Sequence, residues 1–170
     1  MLLKKTLLAT AVIALAGFAL NASAASSNTT FQVTATVVNN CVINSTNIAF
    51  GNYDPTSATA VTAQGSVTAK CTKGDVVYVE LGQGNNPGTG STAAVPARQM
   101  KSGANLLPYD IYTTSGGTTE WGTGTANRPA SQTSASVNTP LTFVTYGSLP
   151  AGTDVPAGSY TDSVVATVTY

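Results

Sequence analysis

The stretch Phe31-Gln32-Val33-Thr34-Ala35-Thr36-Val37-Val38 sets Phe31, Val33, Ala35 and Val37 against Gln32, Thr34 and Thr36. Side chains of a strand point alternately to its two faces, so this spacing predicts a half-buried strand with one apolar row. Val and Thr, branched at Cβ, suit a pleated backbone. Asn39-Asn40-Cys41 follows. The apolar row has two possible destinations. It can fill the chain's own core, or it can fill the core of a neighbour, which would make the chain a polymer-forming subunit.

Working outward, the residues before this stretch read as a secretory signal peptide over 1–24. Lys4 and Lys5 form a charged start, Leu7 to Leu20 is apolar except for Thr10 and Gly17, and Ala22-Ser23-Ala24 offers a small-residue cleavage site. A retained membrane anchor is the alternative, but the run is short for a span. Removal of 1–24 leaves 146 of the 170 residues, enough for one domain with a proper core. It also removes two lysines, leaving five basic against seven acidic side chains, a net charge of −2. No basic surface is available for nucleic acid or anionic lipid.

Beyond Cys41 the chain reads as short strands separated by turns. Ala60 to Cys71 carries Val61, Val67, Ala69 and Cys71 at even spacing. Lys73-Gly74-Asp75 turns into Val76–Leu81, with Val77, Val79 and Leu81 on one face. A Gly/Asn/Pro-rich loop covers 82–97, and Arg98–Lys101 reads as a short strand. Leu106–Thr113 is a strand that Pro108 assigns to an edge or bulge. A polar stretch runs from Thr114 to Asn138. Strands at Thr139–Ser148 and Ser159–Tyr170 end the sequence. No helix longer than two turns is predicted. The fold class is all-β, a sandwich or barrel.

The chemistry is sparse. Without histidine, Ser-His-Asp, Cys-His and His-containing zinc sites are excluded. Asp54, Asp75, Glu80, Asp110, Glu120, Asp154 and Asp162 are scattered and suit solvated positions better than a glycosidase pair. No catalytic residue, cofactor or metal site is expected. Gly82-Gln83-Gly84 lacks the spacing and the following helix of a phosphate loop. Trp121 reads as a core plug or loop anchor rather than a sugar-stacking residue. Cys41 and Cys71, an even pair in an exported chain, suggest one disulfide; two free thiols are the alternative.

Several pieces then fall into series. They are the alternating strand before Cys41, Phe50-Gly51-Asn52-Tyr53-Asp54-Pro55, Cys71 with Gly74, and Val79-Glu80-Leu81-Gly82. Arg98-Gln99-Met100, Leu107-Pro108-Tyr109-Asp110-Ile111-Tyr112 and Trp121-Gly122 follow, then Tyr146-Gly147 and Pro156-Ala157-Gly158-Ser159-Tyr160-Thr161-Asp162. The order resembles the spore coat protein U domain family, which includes pilin subunits of the archaic chaperone–usher pathway such as those of Csu-type biofilm pili. Pro108 departs from the residue often found there in the family.

The resemblance implies an incomplete immunoglobulin-like β-sandwich, lacking its last strand and completed by donor-strand exchange. On that basis residues 25–38 are the donor strand, with Phe31, Val33, Ala35 and Val37 as its inserted side chains. Residues 39–170 are the pilin domain, and Val164, Ala166, Val168 and Tyr170 form its acceptor groove. The implied partners are a periplasmic pilus chaperone, an outer-membrane usher and neighbouring subunits of a homopolymer. The implied destination is the cell surface, reached through the periplasm, with a role in adhesion and biofilm formation. A self-contained secreted binding module, lectin-like or a coat protein, is the second reading; it requires the first strand to sit in its own sheet. An enzyme is the third.

Overall fold

The computed structural model describes residues 23–170; the signal-peptide reading falls almost wholly outside them. Residues 23–35 form neither helix nor strand, and their side chains are exposed. The expected strand over Phe31–Val38 therefore belongs to no sheet.

Residues 36–170 form two sheets. One has five strands in the order β1-β2-β7-β5-β4, the other three in the order β6-β3-β8. The strands are β1 (Cys41–Thr46), β2 (Val61–Cys71), β3 (Val76–Leu81), β4 (Arg98–Ser102), β5 (Asn105–Tyr112), β6 (Gln132–Thr133), β7 (Leu141–Leu149) and β8 (Ala166–Thr169). All pairings are antiparallel. The only helical element among the described residues is a 3₁₀ turn at Thr125–Asn127. The architecture is a sandwich with a full five-stranded sheet and a short second sheet that leaves part of the first uncovered.

The alternation seen in the sequence becomes burial. Val67, Ala69 and Cys71 of β2, Val77, Val79 and Leu81 of β3, and Leu141, Phe143 and Leu149 of β7 face the core. Their neighbours along each strand are more exposed. Trp121 is fully buried and its indole N–H donates to the Val79 carbonyl at 3.1 Å. It plugs the core, as a large ring with one satisfied polar group does. Cys41 and Cys71, directly opposite in the β1–β2 ladder, are joined in a disulfide.

Two expectations are corrected. β5 is an interior strand, paired with β4 and β7, rather than an edge. Pro108 is accommodated because β7 pairs only with Asp110–Tyr112, so the absent N–H removes no bond from that ladder. The last strand is also shorter than Ser159–Tyr170. Thr161 exchanges both backbone bonds with Lys101, at 2.9 and 3.2 Å, so the chain touches β4 before it joins β3 as β8.

Arg98 is the least expected core residue, buried to 1% exposure in a chain with few charges. Its guanidinium donates to the carbonyls of Gly82 (2.7 and 3.0 Å), Trp121 (2.6 Å) and Leu81 (3.5 Å). The planar fork thus satisfies backbone acceptors where β3 ends, which a lysine cannot do in one plane. Arg98→Ala is expected to destabilise the folded protein by about 3–5 kcal/mol, because it strands the buried carbonyls of Leu81, Gly82 and Trp121, each costing roughly 1–3 kcal/mol when left unpaired. Arg98→Lys should recover only part of that loss. A lower urea midpoint at unchanged slope would register both.

Candidate binding groove

The groove begins with a constraint on the second sheet. β8 pairs with β3 on one side only. Gly82 N–H donates to the Val165 carbonyl at 2.8 Å, whereas Leu81 N–H turns away from β8 to the Gly122 carbonyl at 3.3 Å. Antiparallel ladders alternate, so Val165, Thr167 and Thr169 exchange bonds with β3 while Ala166 and Val168 direct their N–H and C=O groups to the open side. Among the described residues these outward groups have no backbone partner.

Beside this edge lies a cleft of about 600 Å³. One wall is Tyr160 to Val164 with Ala166; the other is Ile43 to Ile48 with Phe50. Val67, Leu81, Met100, Tyr109, Ile111 and Thr145 form the floor. A second cleft of about 630 Å³ continues from it, sharing Ile48, Phe50, Met100 and Tyr160 and reaching Leu107, Leu149 and Val155. Apolar side chains predominate slightly in the first cleft, polar groups are interspersed in both, and both are open to solvent.

Two glycines within strands set the far wall. A Cβ on Gly147 would lie 2.7 Å from Ile48 Cγ2 and 2.8 Å from Phe50 Cζ; one on Gly65 would lie 2.5 Å from the Thr46 carbonyl. The segment after β1 can therefore lie directly on the sheet only because these positions lack a side chain. Phe50 then meets Tyr109 edge to face, ring centres 6.3 Å apart.

Polar ties fix the near wall. The Asp162 carboxylate accepts from Tyr109 Oη–H (2.7 Å), Asn85 N–H (2.9 Å) and Asn86 Nδ2 (3.1 Å). Burial first, then this hydrogen bond and the Asp162 charge, push the Tyr109 phenol well above its usual range. It stays a donor at any ordinary pH. Arg98, by holding the Gly82 carbonyl, anchors the residue whose N–H holds Val165. Burial lowers the Arg98 guanidinium, and Tyr109, Glu120, Asp162 and Asp110 oppose that shift.

Of the residues singled out in the sequence, Val164, Ala166 and Val168 are half-buried against the core, and Val164 and Ala166 line the cleft. Tyr170 is half exposed. Phe31, Val33 and Val37 are more than 80% exposed, and Ala35 is exposed as well. The sequence reading missed the far wall, the Asp162 tie and the Arg98 fork. Glycines inside the β2 and β7 patterns were the available signal for the far wall; nothing in the sequence marked the burial of Arg98.

Among the described residues no group of three or more His, Cys, Asp or Glu side chains is placed to hold a metal. The family model described as Spore Coat Protein U domain matches residues 27–167. The chain belongs to that family. Within the family, it is 38% identical over 129 residues to "Protein U" of Myxococcus xanthus, covering 71% of this chain and 70% of that protein. Its spore coat U fold is also similar to a chain in the crystal structure of the CsuC–CsuE chaperone–tip adhesion subunit pre-assembly complex of archaic chaperone–usher Csu pili from Acinetobacter baumannii. There the TM-score is 0.54 at 26% identity, covering 79% of this chain. The chain spans about 40% of the length of that Csu chain.

One electrostatic consequence of the Arg98 region can be measured. Tyr112 and Glu120 bridge across the hairpin that follows β5, which brings Glu120 beside Asp110 and within 3.9 Å of Arg98. Burial, then the Asp110 carboxyl, push Glu120 up to about 8; Arg98 only partly offsets them. The folded chain keeps a proton that the unfolded chain releases near pH 4.5. The contribution is therefore full below that pH and is lost as pH rises towards about 8. Thermal melts should show a melting temperature that falls across this window, and Glu120→Gln should flatten the fall. A wild-type profile that is level or rises across the window would contradict the assignment.

Proposed function

We propose that this chain is a structural subunit of a chaperone–usher surface pilus that polymerises by donor-strand complementation. One observation carries the reading. The same chain has a sandwich with an open strand edge over an apolar cleft, and a separate exposed segment with apolar side chains at every second position. Each is costly alone. An unpaired edge invites association, and exposed Phe31, Val33 and Val37 leave apolar area in water. An extended strand laid along β8 relieves both at once, by β-augmentation.

In this reading residues 1–24 are removed on export, 25–38 form the donor strand, and 39–170 form the domain that receives a donor from another copy. The donor lies along the outward edge of Val164, Ala166, Val168 and Tyr170, with Phe31, Val33, Ala35 and Val37 directed into the cleft. Phe31 and the valines supply most of the side-chain gain, about 1.5–3 kcal/mol for each large group buried. Register is set by the alternation, since a slip of one residue turns Gln32, Thr34 and Thr36 inward. Before assembly a periplasmic chaperone covers the same edge and an outer-membrane usher receives the subunit. The similarity to a chain from a chaperone–subunit pre-assembly complex supports this order of events. The product is a surface fibre that supports adhesion and biofilm formation. A self-contained module would need Phe31–Val38 in its own sheet, and the segment lies in none.

Val33→Asp should block polymerisation and leave the chaperone-bound subunit folded, because the chaperone fills the cleft in place of the donor. Deleting Ala25 to Val38 should do the same. Size-exclusion chromatography and circular dichroism of periplasmic extracts read both outcomes. If the deletion unfolds the subunit even with its chaperone present, the segment belongs to its own core and the pilus reading fails.

A further inference from the structure

In a fibre joined by donor strands, tension enters each subunit where the donor meets its own domain, at Asn39 and Asn40. The next structural element is β1, an edge strand paired only with β2. Its side chains past Cys41 are exposed, with Val42 at 56% and Ile43 at 40%. Little beyond six opposed residue pairs holds it to β2. Beyond β1, residues 47–60 form no strand until β2 begins. A pull on Asn40 through the backbone alone would meet the least buried strand of the five-stranded sheet first.

The disulfide sits at the first residue of that strand. Cys41 is bonded to Cys71, the last residue of β2, and the neighbouring Asn40 and Thr72 exchange backbone and side-chain hydrogen bonds at 2.9–3.3 Å. β2 is an interior strand paired with β7 from Val61 to Ala69. Cys71 also leads within five residues into β3, the central strand of the other sheet. β3 in turn carries β8, the edge assigned above to the incoming donor. The bridge therefore offers a covalent path from the donor root to the strands on which the next donor rests.

We propose that the Cys41–Cys71 bridge carries fibre tension past β1 and the 47–60 segment, directly into β2 and β3. The inference rests on the pilus reading. With the bridge closed, β1 cannot be peeled or slid from its N-terminal end, because the pull bypasses it. With the bridge open, β1 and the following segment become the first part to yield. This would release about 20 residues, or roughly 70 Å of extended chain, and would carry away the groove wall formed by Ile43 to Ile48 with Phe50.

Single-fibre force spectroscopy tests this on fibres of the full chain sheared from cells. Wild-type fibres should show no early lengthening step. The same fibres held in dithiothreitol, and fibres of the Cys41→Ser/Cys71→Ser variant, should each show a low-force step of roughly 70 Å per yielding subunit. Reduction of assembled fibres keeps the test open if the double variant does not assemble. Identical first steps and forces in oxidised and reduced fibres, with thiol labelling confirming reduction, would overturn the clamp and leave the pilus reading standing. A wild-type chain that forms no fibre would overturn the pilus reading, and this inference with it.

Discussion

The open side of β8 is the constraint on which the rest of the structure depends. A strand in the middle of a sandwich satisfies its backbone on both sides; β8 does so only against β3. Ala166 and Val168 consequently present polar backbone groups at the rim of an apolar cleft, where water solvates them but leaves the cleft lining unfavourably exposed. The remedy has to supply hydrogen bonds and apolar side chains together, in register. An alternating strand does this; a helix or a small apolar molecule does not.

The rest of the domain can be understood as holding that edge in place. Arg98 secures the end of β3 through the Gly82 carbonyl, and Gly82 secures Val165. Asp162 ties the approach to β8 to β5 and to the loop at Asn85 and Asn86. On the far side, Gly65 and Gly147 let Ile48 and Phe50 settle on the sheet and form the opposite wall. These are polar networks and close backbone approaches rather than additional apolar burial. Such ties give a groove a defined shape when its own side chains cannot close over it. The Spore Coat Protein U domain of this chain thus combines a well-packed half, around Trp121, Val77, Val79 and Cys71, with a half shaped to receive a strand.

Much of this was legible from period-two patterns. Val77, Val79 and Leu81, or Leu141 and Phe143, announce both their strands and their buried faces, because burial on one side of a pleated strand leaves a direct imprint on residue order. The alternation of Phe31–Val38 is equally plain in the sequence, although the pattern alone does not say whose core it fills, and in the folded chain the segment pairs with no strand. Features that depend on contacts between distant residues were not legible. The last strand is shorter than its expected span because the hydrogen bonds of Thr161 and Asp162 go to Lys101, Asn85 and Tyr109 rather than to β3. Pro108 suggested an edge, but its tolerance depends on where β7 begins to pair. The burial of Arg98 leaves no mark in the sequence, since no local pattern records that three carbonyls converge on it.

The most direct measurement of the central claim is residue-resolved amide hydrogen exchange in assembled fibres. The account predicts that Ala166 and Val168, whose N–H groups face the open side of β8, are protected as strongly as Thr167 and Thr169, which bond to β3. It also predicts that amides along Phe31–Val37 are protected with them. Fast exchange at Ala166 and Val168 beside slow exchange at Thr167 and Thr169 would show that the edge stays open in the fibre. It would contradict assembly by a strand laid along β8.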